Sequence, residues 1–88
     1  MELKIASRQC ADQAGNSRKF HYFLTVDQEE SPRFCCENYG VRIAEEDGGD
    51  VSIPRITTSA ARIDELITLL VDNRVGPGGL EDVIADWL

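Results

Sequence analysis

The chain has 88 residues, 16 acids against 9 bases for a formal net charge of −7, and 42% hydrophobic residues. That length leaves room for a single domain burying about 60–65% of the surface its unfolded form exposes, which argues against a deep enclosed active site. The hydrophobic content excludes the composition of a disordered chain, no apolar run approaches the roughly 20 residues of a membrane span, and the acidic balance repels a phosphate backbone on average.

Residues 2–10 are short of turn formers and place Leu3 and Ile5 on one side, Lys4 and Arg8 on the other, the period of a strand with one covered face. Asp12 to Ser17 is a turn by composition. Residues 18–27 give the clearest strand, in which Phe20, Tyr22, Leu24 and Val26 alternate with Lys19, His21, Phe23 and Thr25. Asp27-Gln28-Glu29-Glu30-Ser31-Pro32 breaks the alternation with charge and a proline. A third strand over about 34–46 turns Tyr39, Val41 and Ile43 inward, and Gly40 within it marks a bulge or a close approach of another backbone. Glu45 to Asp50 reads as a hairpin turn. The fourth strand, about 51–57, carries Pro54, which removes a ladder donor and assigns this strand to a sheet edge or ends it there.

After Thr57 the period changes from 2 to 3.6. Thr58 or Ser59 caps a helix over about 59–73, with Ile63, Leu66, Ile67 and Leu70 in one stripe. Gly76-Pro77-Gly78-Gly79 stops it. Leu80, Val83, Ile84, Trp87 and Leu88 form the stripe of a second helix over about 80–88, in which Trp87 is expected to anchor the core. A short sheet and two amphipathic helices bury their apolar surfaces together most simply when both helices lie on the same sheet face. The expected fold is therefore α+β, a four-stranded antiparallel meander followed by two C-terminal helices packed on one face, as one domain over residues 1–88. Its core would include Leu3, Ile5, Phe20, Tyr22, Leu24, Tyr39, Val41, Ile43, Val51, Ile53, the first helical stripe, Val83, Ile84 and Trp87.

Three segments, Tyr39-Gly40-Val41-Arg42-Ile43, Ile53-Pro54-Arg55-Ile56-Thr57 leading into Arg62-Ile63-Asp64-Glu65-Leu66, and Leu80 to Leu88, resemble a family of short uncharacterised bacterial proteins from Gram-positive anaerobes, a domain of unknown function. The resemblance covers most of the chain and implies no activity, cofactor or catalytic residue. The Cys35-Cys36 pair lies outside its pattern.

Cys10, Cys35 and Cys36 make an odd set with two adjacent members, unlike a disulfide framework. The start Met1-Glu2-Leu3-Lys4-Ile5 lacks the basic stretch and apolar run of a signal peptide. The chain therefore reads as cytoplasmic with free thiols. Adjacent strand cysteines point to opposite faces, so Cys10, Cys35, Cys36 and His21 do not form a tetrahedral zinc set. His21 has no flanking motif that would make it the base for a thiolate. The acids of 45–50 lack the alternating spacing of a calcium loop, and Gly76–Gly79 lack the lysine and hydroxyl residue of a phosphate loop. No catalytic residue, metal ligand or cofactor is assigned.

One distributed feature remains. The open face of the expected sheet collects Lys4, Arg8, Lys19, His21 and Arg42 beside Phe23, while the helices are acidic. Cations round an exposed aromatic suit an acidic partner or a single strand of nucleic acid; long cationic side chains also simply cover a solvent-facing sheet. The expectation is a non-enzymatic protein-interaction module that uses the open face or a sheet edge and binds an acidic partner through Phe23 and Arg42. RNA binding on the same face is the alternative, followed by a small enzyme using Cys35 or Cys36. A homodimer pairing two open faces would oppose like charges, so the edges suit self-association better.

Overall fold

Alternation in the second strand divides the molecule into two faces. Phe20 and Tyr22 are buried in the cluster under the helices and Val26 is buried on the same side of the strand, while Lys19, His21, Phe23 and Thr25 take the other side. The computed structural model describes residues 1–30, 35–46 and 48–88, with 29, 30 and 35 placed by their backbone. Its elements are β1 (Glu2–Ala11), β2 (Ser17–Glu30), β3 (Cys35–Glu45), β4 (Asp50–Thr57), α1 (Ala60–Asp72), a 3-10 turn at Pro77–Gly79, and α2 (Leu80–Trp87). The strands pair in the order β1-β2-β3-β4, each antiparallel to its neighbour, and the two helices pack on the sheet.

The helical layer joins the sheet through Ile63, Leu66, Ile67, Leu70 and Val71 of α1 and Leu80 and Ile84 of α2, which meet Phe20, Tyr22, Val41 and Ile43. Ser59 caps α1, its hydroxyl accepting from the Arg62 amide at 3.2 Å. The first helix ends on an arginine and not on the glycine segment. Arg74 adopts a left-handed φ of 51°. Its amide donates to the Val71 carbonyl at 3.2 Å, and the Val75 amide donates to Leu70 at 3.0 Å. This pair of bonds is a Schellman termination, usually built on glycine.

Four expectations are corrected. The acidic stretch Asp27–Glu30 continues β2, pairing Asp27 with Asn38 and Gln28 with Glu37. Ser31, Pro32, Phe34 and Asp47 lie outside the described residues. Leu3 and Ile5 are not core residues, being 45% and 47% exposed: the helices leave their end of the sheet uncovered. Trp87 is half-buried, and Leu80 and Ile84 anchor α2 in its place. Finally, Pro77–Gly79 form a helical turn that leads directly into α2.

Gly40 has the close approach its position suggested. A Cβ there would lie 2.5 Å from the Ile53 carbonyl oxygen, 2.6 Å from Pro54 Cα and 2.6 Å from Thr25 Oγ1. The strand opposite is where β4 bulges, since Tyr39 pairs with Thr57 but Val41 with Ile53. Pro54 sits in that bulge on an edge strand, as a residue without an amide hydrogen must. Gly40→Ala is expected to cost about 1–3 kcal/mol through overpacking against backbone that has nowhere to go, read as a lower urea midpoint. Arg74→Gly should have the opposite sign, raising stability by about 1 kcal/mol and with it the urea midpoint, because it removes the left-handed penalty of a side-chain-bearing residue.

Candidate functional site

Residues on the open face follow from the register. Lys4 stands opposite Phe23, and Phe23 opposite Arg42; Ser7 stands opposite His21, and His21 opposite Ala44. The pairing of β1 with β2 is interrupted once, where Lys4 meets Phe23 but Ala6 meets Tyr22, leaving Ile5 as an extra residue. One inserted residue reverses the face taken by every side chain after it. Arg8 therefore stands opposite Phe20 on the helix-covered side, and shares a cleft with Asp64 and Asp72 of α1. The structure brings Lys4, His21, Phe23 and Arg42 together on the open face and separates Arg8 from them. Nothing in the alternation of residues 2–10 signals the bulge.

Arg42 dominates this face. Its guanidinium lies 4.1 Å from the Phe23 ring centroid. Its Nε and Nη2 donate to the two carboxylate oxygens of Glu2 at 3.0 and 2.8 Å, and Nη1 donates to Asp50 Oδ2 at 3.2 Å. One side chain from β3 thus reaches β1 across the aromatic ring of β2 and also holds β4. Phe23 is half-buried beneath it and not a bare aromatic in water. The hydrogen bonds from Arg42 hold the Glu2 carboxyl below its ordinary range, and the same bonds raise the guanidinium further above neutrality. Arg42 is a paired cation, so the open face offers fewer free charges than the sequence suggested.

His21 makes a second cluster that the sequence did not indicate. Its Nδ1 shares a hydrogen bond of 2.8 Å with Ser7 Oγ, and its Nε2 lies 3.8 Å from Glu46 Oε1. Hydroxyl, imidazole and carboxylate stand in the order a nucleophilic centre uses. They stand, however, on paired strands of the sheet, and none of the three lines the clefts at Cys10, Trp87, Ile5 or Met1. Cross-strand pairing of polar residues accounts for this geometry. Cys10 lies on the helix-covered side, in a cleft of about 490 Å³ with Arg18, Glu45, Arg74 and the Gly76–Gly79 segment. Arg18 is occupied there by Glu45, its Nη2 donating to Oε2 at 2.8 Å, which lowers the Glu45 carboxyl and raises the guanidinium. Among the described residues Cys10 and Cys36 carry free thiols, and no three His, Cys, Asp or Glu side chains converge.

The fold and this surface define a small α+β protein whose sheet is covered by helices on one side and cross-braced by ion pairs on the other. All of residues 1–88 match the model of the family of unknown function DUF6514, and the chain belongs to that family. Neither a curated protein nor a solved structure matches it. Among the described residues no helix is long and apolar enough to cross a membrane.

The carboxylates of Glu2 and Glu45 have depressed pKa values because each accepts from an arginine. A group of this sign stabilises the fold above its ordinary value of 4.5, and that contribution disappears as pH falls through the depressed value. The melting temperature should therefore decline on acidification below about pH 4.5. Arg42→Gln should lower it at neutral pH and flatten part of the acid decline, measured by thermal scans from pH 7 to pH 3. An unchanged acid profile in the variant would show that the Glu2–Arg42 pair has no such role.

Proposed function

We propose that this chain is a non-enzymatic interaction module that takes an extended, acidic segment of a partner protein along the free edge of β1. The supporting observation is the contrast between the two edges of the sheet. The β4 edge carries Pro54, Arg55 at a left-handed φ of 57°, and a bulge, all features that obstruct strand addition. The β1 edge is ten residues long, contains no proline, and runs regularly from Ala6 to Ala11 after its single bulge. Met1, Leu3 and Ile5 are exposed beside it, an apolar corner that a partner's side chains would cover. Lys4 and Arg8 belong to no ion pair among the described residues. They place two cations along the strand, Lys4 on the open face and Arg8 on the helix-covered one, which favours an acidic segment. Main-chain pairing would supply affinity and the apolar corner specificity. The odd cysteine set and the family resemblance support action in the cytoplasm of a bacterium.

A photo-crosslinking residue in place of Arg8 should capture a protein from cell extract, the capture should survive nuclease, and the same probe in place of Arg55 should capture none. Leu3→Asp with Ile5→Asp should abolish capture and shift stability by only about 0.5 kcal/mol, as exposed substitutions do. Equal capture from both edges would overturn the edge reading, and capture lost to nuclease would point to RNA.

A further inference from the structure

The exposed large apolar side chains fall into two groups. Met1, Leu3 and Ile5 flank β1, while Leu69 and Leu88 belong to the helical layer, on its outer side. There, α1 and α2 enclose a cleft of about 500 Å³ lined by Leu69, Val83, Asp86 and Trp87. Its apolar floor is only partly used by the core: Val83 and Trp87 pack against the core cluster yet are half-buried, and Leu69 is 39% exposed.

The charge round this cleft is mostly negative. Asp86 lines the cleft; on α1, Glu65 lies one turn before Leu69, and on α2, Asp82 lies one turn before Asp86. Beside these three carboxylates stands the cation Arg62, whose guanidinium sits 4.4 Å from the Trp87 ring centroid. Neither helix has a basic residue in its last turn. The partial negative charge at the end of α2, beside Trp87, is therefore left without a cation from its own helix. The stacking of Arg62 shows that this indole accepts a cation on its face.

We propose that the α1–α2 cleft is a docking groove for a cationic amphipathic helix of a partner protein. Apolar side chains of that helix would fill the space over Leu69, Val83 and Trp87, and its lysines or arginines would meet Glu65, Asp82 and Asp86. An apolar floor with acidic walls selects this occupant over a second copy of the chain, whose own helices present the same negative charge. The site is independent of the β1 edge, being lined by residues of α1 and α2 alone.

Trp87 is the sole tryptophan and lines the cleft, so its fluorescence reports occupancy directly. The probe is a 14-residue helical peptide of leucine and lysine in amphipathic register, with a leucine–glutamate peptide of the same pattern as control. The lysine peptide should shift Trp87 emission to the blue and saturate, with affinity falling as salt rises; the glutamate peptide should do neither. Asp86→Lys should weaken binding about ten-fold, through charge. Leu69→Gln leaves the charge unaltered and should weaken it by a similar factor, through the lost apolar contact. Leu3→Asp with Ile5→Asp should leave it unchanged, which separates this groove from the β1 edge. The proposal fails if both peptides bind alike, if neither binds, or if Leu69→Gln has no effect, since attraction to an acidic protein in general would then explain the signal.

Discussion

Tyr22 stands in an inner strand of the sheet with its whole side chain buried, and a buried hydroxyl must find an acceptor. It donates to the Val75 carbonyl at 2.9 Å. Burial pushes its pKa up to about 12, so the phenol keeps its proton throughout the neutral range. The position of the helical layer follows from this bond. Val75 is the residue that closes the termination of α1, so the end of that helix is fixed over the middle of the sheet. Gly76 follows against the Phe20 ring, where a Cβ would lie 2.9 Å from Cζ. The 3-10 turn then delivers Leu80 into the core as the first residue of α2. α1 lies beside Ile5, Ala6 and Arg8 of β1, and the corner at Met1 and Leu3 stays exposed.

The two sides of the sheet are held by different forces. The covered side is a packed apolar cluster. The open side is braced by Arg42, which links side chains of all four strands through one ring stack and two ion pairs. Each exposed pair contributes little by itself. A forked guanidinium fixed by an aromatic ring below and carboxylates on both flanks has lost its rotamer freedom once for several contacts. The same arrangement explains how Phe23 can occupy a solvent-facing position: its upper surface is covered by a cation of the chain itself.

Much of the architecture was legible in the residues. The alternation of Phe20, Tyr22, Leu24 and Val26, followed by the helical spacing of Ile63, Leu66, Ile67 and Leu70, fixed the element order and the covered face. Pro54 marked an edge and Gly40 a close approach for reasons that are purely steric. The face of Arg8 was not legible, because a bulge at Ile5 has no composition of its own and depends on pairing with a neighbouring strand. The extension of β2 through Asp27–Glu30 was hidden for a related reason. A run of consecutive charged and polar residues has no apolar alternation to display and reads as a turn. Arg42 was legible as a surface cation, but its partners come from β1 and β4, and strand adjacency decides them. The α1–α2 cleft depends on how two helices lie together, which periodicity alone does not state.

Each strand in this sheet pairs only with the strands next to it in the chain. No ladder has to wait for a distant segment to arrive, so the loop-closure entropy of assembling the sheet is low, and sheets of such local connectivity cross their folding barrier faster than those built on long-range pairings. The order of events is nonetheless constrained, since the apolar side of the sheet gains its cover only when residues 60–87 dock. Tyr22 and Val75 are far apart in sequence, and their bond is among the contacts with the largest loop to close. Formation of the ladders should therefore precede the docking step, and the helical layer should set the height of the barrier.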